Sequence, residues 1–195
     1  MNILIDQLPT AIDLEGREYE INSDFRTCLR VIMAFEDPEL AAIEKRAVLI
    51  ANLYREQPHN VELAYSEGVR FLNLGKHAED SEGGDAGPRV YSFSKDAALI
   101  LAAFRQTHGI DLTTADLHWW VFQALFMDLG GETAFCSLIN LRHKVKTGKA
   151  NKEERRAARE MGEMFDLPEP DERTLEERER EDEFMRLIKA AEAQR

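Results

Sequence analysis

Residues 116–129, DLHWWVFQALFMDL, place both tryptophans of the chain side by side, directly after His118. Three explanations compete for such a cluster: a stacking surface for a ligand or nucleic acid, a catalytic histidine in an aromatic pocket, or a helix apolar all round. Successive residues of a helix are rotated by about 100°, which aligns Trp119, Phe122, Phe126 and Leu129 in one stripe. Leu117, Trp120, Val121, Ala124 and Leu125 then cover much of the remaining surface. The two indoles point about 100° apart, so they do not make one flat platform. Single-strand binding interleaves aromatics with basic residues, yet no Lys or Arg occurs between Arg105 and Arg142. The stretch therefore predicts a helix at a domain centre or partly in a subunit interface, with Trp119, Trp120, Phe122 and Phe126 as its core or interface residues.

His118 is the histidine in the most distinctive setting. A general base needs a poised partner and a cleft, whereas a His at a helix start packs while its ring bonds to backbone or a nearby carboxylate, here Asp116 or Asp111. A structural His118 is expected. His59, His77, His108 and His143 show no HExxH or His/Cys spacing, so no metal site is assigned. The chain has no GxSxG elbow, no GxGxxG and no P-loop, and it is read as non-enzymatic with no cofactor. Cys28 and Cys136 form no CxxC pair and are expected to be reduced, buried thiols.

Working outward, Ile12 and Leu14, then Glu15-Gly16, then Tyr19 and Ile21 alternate with polar residues, the pattern of a short hairpin turning at Gly16. Asn22, Ser23 or Asp24 can cap a helix with Phe25, Cys28, Leu29 and Ile32 on one face. Asp37-Pro38 reads as the start of the next helix, with a stripe of Ile43, Ala47, Ile50, Ala51 and Tyr54. Val61, Tyr65, Val69 and Leu72 form the stripe of a third, which Gly75 stops. Residues 78–88, AEDSEGGDAGP, carry four acidic residues and three glycines but no large apolar side chain, which marks a solvated linker. Beyond it, Ala97, Ile100, Leu101 and Phe104 face one side of a helix that ends at Gly109. Thr113 and Asp116 resemble a capping box for the tryptophan helix. Gly130-Gly131 ends that helix, and a shorter one follows. The organisation expected is an N-terminal hairpin plus helices over 1–77, the linker 78–88, a central helical unit over 89–168 and a charged helical tail over 169–195. The fold class is mainly α, with a small N-terminal β-hairpin and a charged C-terminal helix.

The net charge of -12 disfavours nonspecific attraction to nucleic acid or anionic lipid. Neither a signal peptide nor a membrane span is visible, so the protein is expected to stay in the compartment where it is made. One local exception stands out. Residues 142–159 hold eight Lys or Arg against two Glu, and residues 169–183 hold nine Asp or Glu against three Arg. Lys152, Arg155, Arg156 and Arg159 in the first stretch are the candidate basic patch. They read either as a solvated face paired with acidic surface of this or a neighbouring molecule, or as a phosphate-binding patch of a nucleic-acid-associated protein.

Several motifs occur together and in order: Leu8-Pro9; Gly16, Tyr19, Ile21, Asn22, Asp24, Phe25 and Arg26; Tyr91, Phe93, Asp96 and Ala97; Gly109 to Leu112; and Leu117 to Phe122 as LHWW-x-F. In these the chain, over roughly residues 1–168, resembles the bacteriophage gene-product-fifteen family of long-tailed phages and prophages. The resemblance implies a helical tail assembly chaperone in the host cytoplasm. Such a protein binds the tape measure protein, has the tail tube protein as a candidate second partner, works as a homo-oligomer and carries no catalytic or cofactor residue. Residues 171–195 extend past the point where such proteins tend to end.

Overall fold

The computed structural model describes residues 3–76 and 87–167 of the chain. Strands β1 (Ala11–Leu14) and β2 (Arg17–Glu20) pair antiparallel with Ile12 opposite Tyr19. A two-residue turn that matches strand twist needs positive φ at both central positions, and Glu15 (φ 57°) and Gly16 (φ 86°) supply it. Ile12, Leu14 and Tyr19 face inward and lay the hairpin on the helices, since two strands alone are marginal in water.

Seven helices follow among the described residues: α1 (Phe25–Glu36), α2 (Ala42–Leu53), α3 (Val61–Leu72), α4 (Ala97–His108), α5 (Trp119–Met127), α6 (Ala134–Lys146) and α7 (Lys152–Met161). The fold is mainly α with an N-terminal hairpin. Most starts carry a side-chain cap. Asp24 accepts from the Arg26 amide, Asn60 from Leu63, Thr133 from Cys136 and Asn151 from Glu154, each satisfying a donor the helix leaves orphaned. Gly109 ends α4 in the left-handed conformation at φ 68°, and its amide donates to the Arg105 carbonyl.

Helix α1 packs on α2 and α2 on α3; α1 and α4 both pack on α5; α4 meets α6, and α6 meets α7. One hydrophobic cluster runs from Ile12 to Cys136 and includes residues from both sides of 77–86. The charged stretch 78–88 divides the composition, whereas the apolar faces it separates close on each other. Residues 77–86, which include His77 and most of that stretch, and residues 168–195, where a charged helical tail is expected, lie outside the described residues.

Some sequence expectations need correction. Helix α2 starts at Ala42 rather than at Pro38, because Asp37 ends α1 and its carboxylate accepts from the Glu39 amide in a turn. Its buried residues are Leu49, Ile50 and Leu53, and Ile43, Ala47 and Ala51 face outward. In α3 the buried face is Ala64, Gly68, Phe71 and Leu72 instead of the stripe through Val61, Tyr65 and Val69. Small residues win there because the helices approach closely: a Cβ on Gly68 would lie 2.7 Å from Leu49 Cδ2. Similarly, α1 buries Val31 more deeply than Leu29 and Ile32, and α4 buries Ala103 while Ala97 is exposed. Helices α5 and α6 also differ from expectation in relative length, with α6 at 13 residues and α5 at 9.

Candidate functional site

Trp119 is 1% and Trp120 7% exposed, and Phe122 and Phe126 are buried beside them. The rings of Phe25 and Phe104 stack on Phe122 at 4.9 and 5.1 Å, so α1 and α4 meet through one phenylalanine of α5. Trp119 stacks on the same ring at 5.7 Å. The indoles have a second task. Trp119 Nε1 donates to the Leu72 carbonyl and Trp120 Nε1 to the Phe71 carbonyl, both at 2.9 Å. These are carbonyls of the last turn of α3, where a helix runs out of its own donors. Two adjacent tryptophans therefore cap two adjacent carbonyls, which explains why they stand together.

His118 starts α5. Its Nδ1 accepts from the Trp120 amide at 3.1 Å, and Nε2 lies 2.9 Å from the Pro9 carbonyl. A carbonyl only accepts, so Nε2 carries the proton and Nδ1 offers its lone pair to the helix. Both ring nitrogens are occupied, and no lone pair is free to act as a base. The Thr113–Asp116 capping box does not form. Thr113 instead donates through its amide and hydroxyl to Asp111 Oδ1, at 2.9 and 2.6 Å. Those bonds hold the Asp111 carboxyl below the usual range.

The motif residues converge on the same junction. The Phe25 amide donates to the Leu117 carbonyl at 3.0 Å and the Trp119 amide to Ser23 at 2.7 Å. Arg26 reaches the Leu112 carbonyl at 2.8 Å. The Asn22 amide donates to Leu53 and its side-chain nitrogen to Asn52, at 2.7 and 2.8 Å. Residues 21–26 thus stitch the α2 terminus to the entrance of α5. The sequence pattern marks a clamp in the fold.

Sequence reasoning missed the most deeply buried charge. Arg142, counted there in the basic stretch 142–159, is fully buried. Its Nη1 and Nη2 fork onto Asp96 Oδ2 and Oδ1 at 2.6 and 3.0 Å. The remaining donors go to the carbonyls of Val90, Met164 and Phe165 at 3.2, 2.7 and 2.8 Å, so all five guanidinium N–H groups have acceptors. Asp96 also accepts from the Ser92 amide at 3.0 Å. The available signal was spacing: Phe135, Leu138 and Arg142 share one face of α6, which put the arginine inside.

The basic residues of α7 are in a different situation. Lys152, Arg155, Arg156 and Arg159 are all exposed. Their spacing confines them to an arc of about 100°. Arg156 pairs with Glu160 at 2.7 Å on that surface, and Lys144 of α6 pairs with Glu154 at 2.5 Å.

Two further places carry titratable side chains close together or buried. Glu15, His59 and Tyr19 form a chain, with Glu15 Oε2 3.1 Å from His59 Nε2 and the Tyr19 hydroxyl 2.5 Å from His59 Nδ1. The order resembles a proton relay, but Tyr19 is fully buried and the chain fastens the hairpin to the α2–α3 connection. The Cys28 thiol is pushed up to about 12 by burial first and by the Asp24 charge second, which keeps it protonated and unreactive. Among the described residues, no group of three or more His, Cys, Asp or Glu is placed to hold a metal ion, and no helix is long and apolar enough to cross a membrane.

Apolar surface is left outside. Leu4 is 90%, Ile5 80% and Met127 80% exposed. An open groove of about 640 Å³ runs between β1 and α3, with Ile12, Leu63, Phe71 and Trp120 along it and Asp13 and Glu67 among its polar lining. A family model described as bacteriophage Gp15 protein matches residues 4–167. Comparison with curated proteins and with solved structures returned no match.

Proposed function

The chain belongs to the bacteriophage Gp15 protein family, and from that premise we propose that it is a non-catalytic, tail assembly chaperone-like protein that binds the tape measure protein during tail morphogenesis. It works in the cytoplasm of the bacterial host as a homo-oligomer, and the tail tube protein is a candidate second partner. The observation that supports this reading best is the apolar surface at Leu4, Ile5 and Met127 together with the groove beside β1 and α3. A long, sticky helical client is held by apolar grooves that take its side chains at helical spacing. The client stays dissolved if its carrier is strongly charged, and this chain carries a net -12. The interior argues in the same direction: His118, Trp119, Trp120, Arg142 and Asp96 all have structural partners.

Co-expression with the tape measure protein tests the proposal. The soluble fraction of the client should rise severalfold and the two should co-purify, and Leu4→Asp/Ile5→Asp should weaken the complex without unfolding the chain. Equal solubility of the client with and without this protein would sink the idea.

A further inference from the structure

The geometry points to the basic face of α7 as a docking surface for the acidic segment 169–183 of the same chain. Of the eight Lys and Arg in 142–159, Arg142 belongs to the interior and Lys144 is engaged by Glu154. What remains on α7 is an ordered stripe: Lys152, Arg155, Arg156 and Arg159 stand at i, i+3, i+4 and i+7 and are exposed, with Arg156 sharing its charge with Glu160 at 2.7 Å across the surface. Ala158 is buried, with α7 packed on α6, so the stripe faces away from the core.

Charge and chain length select the occupant. Residues 169–183 carry nine carboxylates against three Arg, a net of -6 opposite the +6 of 142–159. The start of the segment is tethered nearby, because α7 ends at Met161 and Arg142 holds the carbonyls of Met164 and Phe165. Helix α7 is about 15 Å long at about 1.5 Å per residue. Fifteen extended residues span about 50 Å, so the segment has ample length to run back along the helix. A tethered partner acts at an effective concentration on the order of millimolar, far above that of a second copy in dilute solution. Nucleic acid would compete against this tethered acid and against the net charge of -12. The segment thus neutralises the basic face of α7.

Zero-length cross-linking of the full chain tests this. A water-soluble carbodiimide condenses a Lys amine with a carboxylate to an amide and takes up the water as its urea. A mixture of unlabelled and nitrogen-15 chains separates links within a chain from links between chains, and the Lys144–Glu154 pair is the internal standard. The expected result is Lys152 linked to carboxylates of 169–183 within one chain. The yield should fall severalfold between about 0.05 and about 1 M salt as the screening length shrinks, and again in Arg155→Gln/Arg156→Gln/Arg159→Gln. Because those three side chains are exposed, the variant is expected to keep its fold, which circular dichroism checks. Absence of the Lys152 links while Lys144–Glu154 forms overturns the proposal, as does a yield unchanged in the triple variant. Links mainly between differently labelled chains would assign the face to a second copy. Loss of the links on adding an equimolar DNA duplex would assign it to nucleic acid.

Discussion

Helices α5 and α7 are almost equal in length, nine and ten residues, and both start on a side-chain cap, but they are opposite in polarity and burial. Helix α5 has no charged residue in WWVFQALFM, and α1 and α4 both pack on it. Helix α7, KEERRAAREM, has a buried Ala158 and is shaped mostly by its own sequence. Asn151 accepts from the Glu154 amide, and Glu154 reaches back to the Asn151 amide, a complete capping box. Isolated helices this short are marginal in water, so each needs support. For α5 the support is tertiary, and it also gives α3 its C-terminal cap. For α7 much of it is local, and that leaves a charged face free. The two arginine environments follow the same divide: Arg142 is buried in an ion pair, while the arginines of α7 are exposed.

The sharpest test of this contrast is truncation at its two poles. Phe122→Ala should cost about 3 to 5 kcal/mol, because the ring joins α1, α4 and the Trp119 stack and its cavity has little room to collapse. Arg142→Ala should cost a similar amount, about 3 to 5 kcal/mol, since it strands Asp96 in the interior. Arg159→Ala on α7 should stay within about 0.5 kcal/mol. Urea unfolding measures all three, and equal effects of the two arginine changes would erase the distinction between the regions.

Smaller effects should separate the tasks of the tryptophans. Trp120→Phe keeps most of the ring but removes the indole donor from the Phe71 carbonyl, which retains the Leu74 amide at 3.1 Å, so the expected loss is about 0.5 to 1.5 kcal/mol. His118→Ala removes the α5 cap and the Pro9 contact, with an expected loss of about 0.5 to 2 kcal/mol. Amide exchange should then accelerate first at the start of α5, and an unaltered exchange pattern would contradict the capping role.

The smallest expected effect is on pH dependence, where two half-buried carboxylates, Glu36 and Glu154, should act in opposite senses. Burial raises the Glu36 carboxyl and is only partly offset by Arg89 at 2.7 Å and by the Ser92 hydroxyl. The folded state then holds the proton longer than the unfolded state, so the contribution of Glu36 to stability falls as pH rises through its window above the ordinary glutamate value. Glu154 is held low, first by its hydrogen bond to Lys144 and then by the Asn151 amide. Its contribution is present above the ordinary value and is lost as pH falls through its folded value. Stability curves between about pH 3 and about pH 6 for Glu36→Gln and Glu154→Gln should diverge from the parent with opposite slopes. Parallel curves would break the assignment.

Much of the fold was legible in the residues. The hairpin at Glu15-Gly16, the cap at Asp24, the stop at Gly109 and the helical class all rest on local chemistry within a few residues. The helix faces were less legible. In α2 and α3 the apolar residues are plentiful enough to suggest more than one stripe, and Gly68 decided which was used by letting Leu49 and Leu53 come close. For the candidate site, the exposed stripe of α7 could be read from spacing, whereas Arg142 was counted with it because charge alone does not say which way a side chain points.

The sequence by itself determined the hairpin turn at Glu15-Gly16, the α1 cap at Asp24 and the α4 stop at Gly109, that α5 is apolar all round, and that 142–159 and 169–183 are opposite in charge. Only the tertiary structure decided that the Trp119 and Trp120 indoles would cap the end of α3, that His118 would spend both ring nitrogens, and that Arg142 would turn inward onto Asp96. The reason is physical. Caps and turns are satisfied by neighbours in the chain, while a buried donor is satisfied by whichever acceptor packing brings to it, here 47 and 46 residues away for Trp119 and Arg142.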